Sequence, residues 1–108
     1  MLDRRVGLRM LCADVVEIRW KENRRNRRCT ANLEDISPSG AGACLQVERP
    51  VPLLTTVRIR HERGELTGKV KYCTSRDIGY FLGVEFEPGS RWSERSFHPR
   101  HLMNPRQL

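Results

Sequence analysis

Val15-Val16-Glu17-Ile18-Arg19-Trp20 and, after a polar interval, Cys29-Thr30-Ala31-Asn32-Leu33-Glu34 are the paired stretches on which the fold turns. In the first, Val16, Ile18 and Trp20 share one face and Val15, Glu17 and Arg19 the other. In the second, Cys29, Ala31 and Leu33 oppose Thr30, Asn32 and Glu34. A period of two belongs to a strand with one buried face, because successive side chains leave the pleated backbone on opposite sides. The interval Lys21 to Asn26 is charged and polar, so the two runs read as a hairpin with Arg24 to Arg28 at an exposed tip.

The same period continues outward from this hairpin. Ser37-Pro38-Ser39-Gly40 is a turn by composition, after which Ala41, Ala43, Leu45 and Val47 share a face. Pro50 and Pro52 mark a loop, and Thr56 to Arg60 forms a strand with Val57 and Ile59 inward. His61 to Gly64 reads as a turn, Leu66, Val70 and Tyr72 line a fifth strand, and Tyr80, Leu82, Val84 and Phe86 line a sixth. Gly83 falls on the opposite face of that strand, where a missing side chain permits a bend or a close approach. Six short strands at this spacing predict an all-β antiparallel barrel or sandwich. From Glu87 to Leu108 the pattern becomes irregular, and part of Trp92 to Met103 is expected to form a short helix or turn.

At 108 residues the chain is sized for a single domain, and 38% hydrophobic with 31% charged residues suits a globular fold. Twenty Lys and Arg against thirteen Asp and Glu leave a formal charge of +7, which attracts phosphate-bearing partners. The four cysteines, at 12, 29, 44 and 73, form no C-x-x-C pair and read as small buried side chains. Arg9 breaks the short apolar run Leu8 to Ala13, which argues against a secretory signal, and no stretch approaches the length of a membrane helix. These features lead to the expectation of a cytoplasmic protein without a membrane anchor.

Two short motifs carry the chemistry. Arg5-Val6-Gly7-Leu8-Arg9 reads R-x3-R, and Asp35-Ile36-Ser37-Pro38-Ser39-Gly40 reads D-x-S-x-x-G. Arginine can fork onto phosphate oxygens or guanine O6 and N7, and its flat face stacks on a purine. Asp35 offers carboxylate acceptors for paired N–H donors, Ser37 donates or accepts beside it, and Gly40 leaves room where the chain turns. Arg4 is a third candidate contact beside Arg5 and Arg9.

In order, spacing and placement around two strands, these motifs resemble those of the PilZ family of bacterial cyclic di-GMP receptors. The closing run Gly79 to Phe86 is similar to the last barrel strand of that family, and the resemblance spans roughly residues 4 to 86. It implies a six-stranded barrel over residues 11–86, a mobile ligand-clamp segment over 1–10, and a tail over 87–108 about which it says little. It further implies a receptor for cyclic di-GMP that holds the ligand through Arg4, Arg5, Arg9, Asp35, Ser37 and Gly40 and signals through an effector protein.

Arg24 to Arg28 also contains R-x3-R, but only six residues separate Arg28 from Asp35, enough for one strand rather than two. Other readings are a ligand-independent adaptor and a basic barrel that binds nucleic acid. Aromatics at 6% leave few surfaces on which bases could stack, which counts against nucleic acid. No catalytic set is legible, because Ser37 has no base indicated in sequence, and His98 and His101 lack a third metal ligand. The expectation is a binding protein without cofactor or metal.

Overall fold

A computed structural model describes residues 10–37, 41–62 and 64–90. Its strands are β1 (Met10–Glu22), β2 (Arg25–Ile36), β3 (Gly42–Val47), β4 (Thr56–His61), β5 (Gly64–Arg76) and β6 (Gly79–Phe86). All pairings are antiparallel, and the order β1-β2-β3-β6-β5-β4 closes into a barrel through the β1–β4 ladder. Closure removes the unpaired edges that an open sheet would present. The sixfold strand pattern of the sequence therefore resolves as a barrel rather than a sandwich.

The inward faces follow the alternation. Val16, Ile18 and Trp20 from β1 meet Ala31 and Leu33 from β2, and Leu45, Val70 and Leu82 complete the centre, each at most 6% exposed. Full burial of each large aliphatic side chain contributes roughly 1.5–3 kcal/mol. Val51, between the two loop prolines, is 1% exposed and belongs to the same core, a position the alternation did not flag because a single inward residue has no period. Cys12, Cys29 and Cys73 are only partly buried and pack onto the core. Burial pushes the Cys29 thiol pKa up.

The first hairpin is tighter than its charge suggested. β1 and β2 pair through Glu22 and Arg25, leaving Asn23 and Arg24 alone in the turn, so Arg25 to Arg28 lie in a strand and not at a tip. Alternation among uniformly polar residues is invisible to a hydrophobic pattern. Both turn residues have positive φ, 51° for Asn23 and 65° for Arg24, as a two-residue turn that matches the strand twist requires. Asparagine tolerates that conformation and arginine does not. Arg24→Gly is therefore expected to stabilise the domain by about 0.5–1 kcal/mol, read as a Tm rise of roughly 2–8 °C. A fall in Tm would mean that the Arg24 side chain supports the hairpin by more than its backbone costs.

Downstream of the barrel, Pro88–Ser90 forms one 3-10 turn. The helix or turn expected within Trp92 to Met103, with His98 and His101, lies outside the described residues. Among the described residues no helix is long and apolar enough to cross a membrane.

Candidate functional site

Two irregularities in the ladders decide which side chains leave the barrel. Leu33 pairs with Leu45 and Asp35 with Cys44, so Glu34 is an extra residue on β2. Val70 pairs with Val84 and Tyr72 with Gly83, so Lys71 is an extra residue on β5. Each bulge shifts the alternation by one place. Strict alternation from Leu33 would aim Asp35 into the core. Instead Ile36 is fully buried and Asp35 shares the outer face with Cys44. The same shift corrects the assignment of Tyr72 to the inner face with Leu66 and Val70: its side chain is outside and 48% exposed.

The bulges bring five residues into one row across the outer surface. Leu11, Asp35, Cys44, Gly83 and Tyr72 are successive partners on β1, β2, β3, β6 and β5. Three strand spacings of ~4.8 Å put Asp35 and Tyr72 about 14 Å apart along the sheet. Between them the outward positions are small: Gly42 and Cys44 on β3, and Gly83 on β6. The Tyr72 ring takes the volume that a Cβ on Gly83 would need. The gap noted at Gly83 in the sequence thus admits a side chain from the neighbouring strand. Cys44 is 7% exposed yet stands apart from the core cluster, as an outer-face position should.

The next outward row borders this platform. Asn32 Nδ2 donates to Gln46 Oε1 at 3.1 Å, and Gln46 Nε2 donates to the Ile78 carbonyl at 2.8 Å. Beyond them the Arg76 guanidinium lies 5.7 Å from the centroid of the Phe81 ring. The platform therefore has a carboxylate at one end, an aromatic ring at the other, small residues between, and a stacked guanidinium along one side. Such a surface offers acceptors to the N–H donors of a flat polar group and an aromatic face on which a ring can stack.

Of the motif residues, Asp35 and Ser37 are described. Asp35 is half-buried at the end of β2, and the Ser37 amide donates to the Gly42 carbonyl at 2.8 Å, joining the end of β2 to the start of β3. Phe86 N donates to Ala41 O at 2.8 Å and ties the residue before β3 to β6. Arg4, Arg5, Arg9 and Gly40 lie outside the described residues. Met10 pairs with Ile36 and Leu11 with Asp35, so β1 begins beside the end of β2 that carries Asp35. Tyr72 is the residue that sequence reasoning misplaced. Its only signal was Lys71, a charge between Val70 and Tyr72 that ordinary alternation also explains.

No group of three or more potential metal ligands occurs among the described residues. No protein-family model matches this chain, and no curated protein or solved structure matches it.

Proposed function

We propose that the chain is a cyclic di-GMP receptor of the PilZ kind, with Asp35 and Ser37 reading guanine and Arg4, Arg5 and Arg9 supplying the cations for the phosphates. The observation that carries this reading is the start of the β1–β2 ladder, in which Met10, the residue after Arg9, pairs with Ile36, the residue after Asp35. The two motifs are separated by two strands in sequence, and the hairpin returns the end of the second strand to the start of the first. Asp35 faces outward beside a floor of small residues, where a planar base can approach the carboxylate edge-on. Carboxylate acceptors match the guanine N1–H and N2 amino donors.

Tyr72 extends this reading. Its ring lies over Gly83, in the same row as Asp35, and offers a stacking face for the second purine of the dinucleotide. Stacking of a base on an aromatic side chain contributes about 1–3 kcal/mol, so Tyr72→Ala is expected to weaken binding by ~5- to 150-fold. Tyr72→Phe should keep the affinity within about threefold. Equal affinity of the alanine variant and the parent in a calorimetric titration would remove Tyr72 from the site.

The output we propose is a change of the ligand-bound surface that an effector protein reads, since a binding domain alters a partner only through differential contacts in its two states. The test of the reading as a whole is isothermal titration calorimetry of the purified protein with cyclic di-GMP and, as control, GMP. Saturable binding of the cyclic dinucleotide alone is the expected result. Absence of heat at several temperatures, from a sample shown to be folded, would overturn it.

A further inference from the structure

Three arginines from three strands stand in one row on the outer face of the barrel, away from the site above. Arg19 on β1 pairs laterally with Arg28 on β2 and with Arg58 on β4. Two residues further along β1, Lys21 pairs with Asn26. These side chains, with Arg27 and Thr56, border a groove of about 740 Å³. Like charges directly opposite in a ladder oppose pairing by some tenths of a kcal/mol each. The local carboxylates relieve this only in part. Glu17 accepts from Arg19 Nε at 2.6 Å, and Glu65 lies 3.9 Å from Arg58. The Arg19 hydrogen bond, and then the charges of Arg19, Arg28 and Arg60, hold the Glu17 carboxyl below its usual pKa. Among the described residues, no carboxylate pairs with Arg28 or Lys21.

The chemistry and shape of the groove narrow its occupant. Four guanidiniums and one ammonium within two residues along a strand and two strand spacings across make a dense cationic surface, about 7 Å by 10 Å. A peptide would match it only with acids at alternate positions, whereas a nucleic-acid strand carries a charge at every residue. The patch is two strand spacings or about 10 Å across, the width of a single extended backbone. Among the described residues the one aromatic at the groove is Trp20, which is 6% exposed and whose Nε1 donates to Glu22 Oε1, so none of them offers bases a stacking face there. Contact is therefore to phosphate and sugar, without sequence preference.

We infer that this groove binds the phosphate backbone of single-stranded nucleic acid, independently of the dinucleotide site. Arg28 precedes Asp35 by seven positions on β2 (35 − 28), so the two sites are separated by about 23 Å. The sequence hid the groove because Arg19 meets Arg28 only in the register of the first hairpin, and Arg58 joins them only through barrel closure.

The test is fluorescence anisotropy of a labelled oligouridylate against the full chain over a range of salt. Three to four phosphate contacts predict a slope of log K against log salt of about −2 to −3. Arg28→Gln with Arg58→Gln removes two of them, lowering the slope magnitude by about 1.4 and weakening binding about 25-fold near 0.1 M salt. The equal-charge control, Arg49→Gln with Arg76→Gln, should remain within about threefold of the parent. All four positions are exposed, so circular dichroism is expected to show an unchanged fold. The inference is overturned if the control loses as much as the groove variant, which would mean net charge alone. It is equally overturned if no saturable binding occurs, if oligoglutamate binds the groove as tightly as the oligonucleotide, or if cyclic di-GMP displaces the oligonucleotide. Failure of the dinucleotide titration would leave the result intact.

Discussion

Asp35→Ala is expected to weaken cyclic di-GMP binding by at least about 150-fold while leaving the barrel folded. The proposed contact is a carboxylate accepting from two N–H donors of one guanine. Hydrogen bonds to a charged group contribute roughly 1.5–3 kcal/mol each, so the pair amounts to about 3–6 kcal/mol. Asp35 lies at the outer end of β2, and the pairing of β2 with β1 and β3 there runs through the backbone. The stability cost should therefore be small beside the affinity loss. Asp35→Asn sharpens the test, because the amide presents donors as well as an acceptor to a base edge that only donates, and most of the loss should persist. Calorimetric affinities within about threefold of the parent for both variants would exclude Asp35 from recognition of the base. Rejection of cyclic di-AMP by the parent is a companion expectation, since adenine lacks the N1–H and N2 amino donors that the carboxylate would accept. An unpaired buried polar group is costly enough to discriminate strongly.

The residues that make this site possible divide according to what a sequence can express. Alternation over Val16, Ile18 and Trp20, and again over Leu82, Val84 and Phe86, announced the strands and their buried faces, because burial of one side of a pleated backbone imposes a period of two. Barrel closure and strand order required the resemblance or the structure, because β1 meets β4 across more than thirty intervening residues and no local pattern encodes that pairing. The bulges at Glu34 and Lys71 were illegible for a different reason. A bulge shifts the face of everything after it by one place, and a polar residue inserted between two ordinary strand residues leaves the composition unchanged. The Asp35 motif pointed to chemistry without revealing the face that displays it, and Tyr72 was assigned to the wrong face altogether. The basic groove was legible only as excess charge. Its geometry depends on Arg58, thirty positions from Arg28 in sequence and one strand removed from Arg19 in the barrel.

Leu45→Ala should be among the most damaging single truncations in the barrel. Leu45 is fully buried and pairs with Leu33 on one side and Leu82 on the other, themselves 1% and 0% exposed. Large-to-alanine truncation in a core costs about 2–5 kcal/mol, the upper part of the range applying where neighbours cannot move in to fill the space. A closed barrel resists such collapse, because inward motion of one strand must stretch ladders on both sides. The expected loss is accordingly about 3 kcal/mol or more, a large fraction of the ~5–15 kcal/mol that holds a domain folded. With a urea m-value near 1 kcal/mol/M for a domain of this size, the unfolding midpoint should fall by about 2–4 M. Val15→Thr on the exposed face of β1, where Val15 is 68% exposed, should change stability by less than about 0.5 kcal/mol. A midpoint shift for Leu45→Ala no larger than that of Val15→Thr would mean that the interior is loosely packed. The platform would then lose its rigid support as well, since Cys44 and Gly42, which floor it, alternate with Leu45 and Ala43 along the same short strand. The position of Asp35 opposite Cys44 depends on that strand, and so on the packing beneath it.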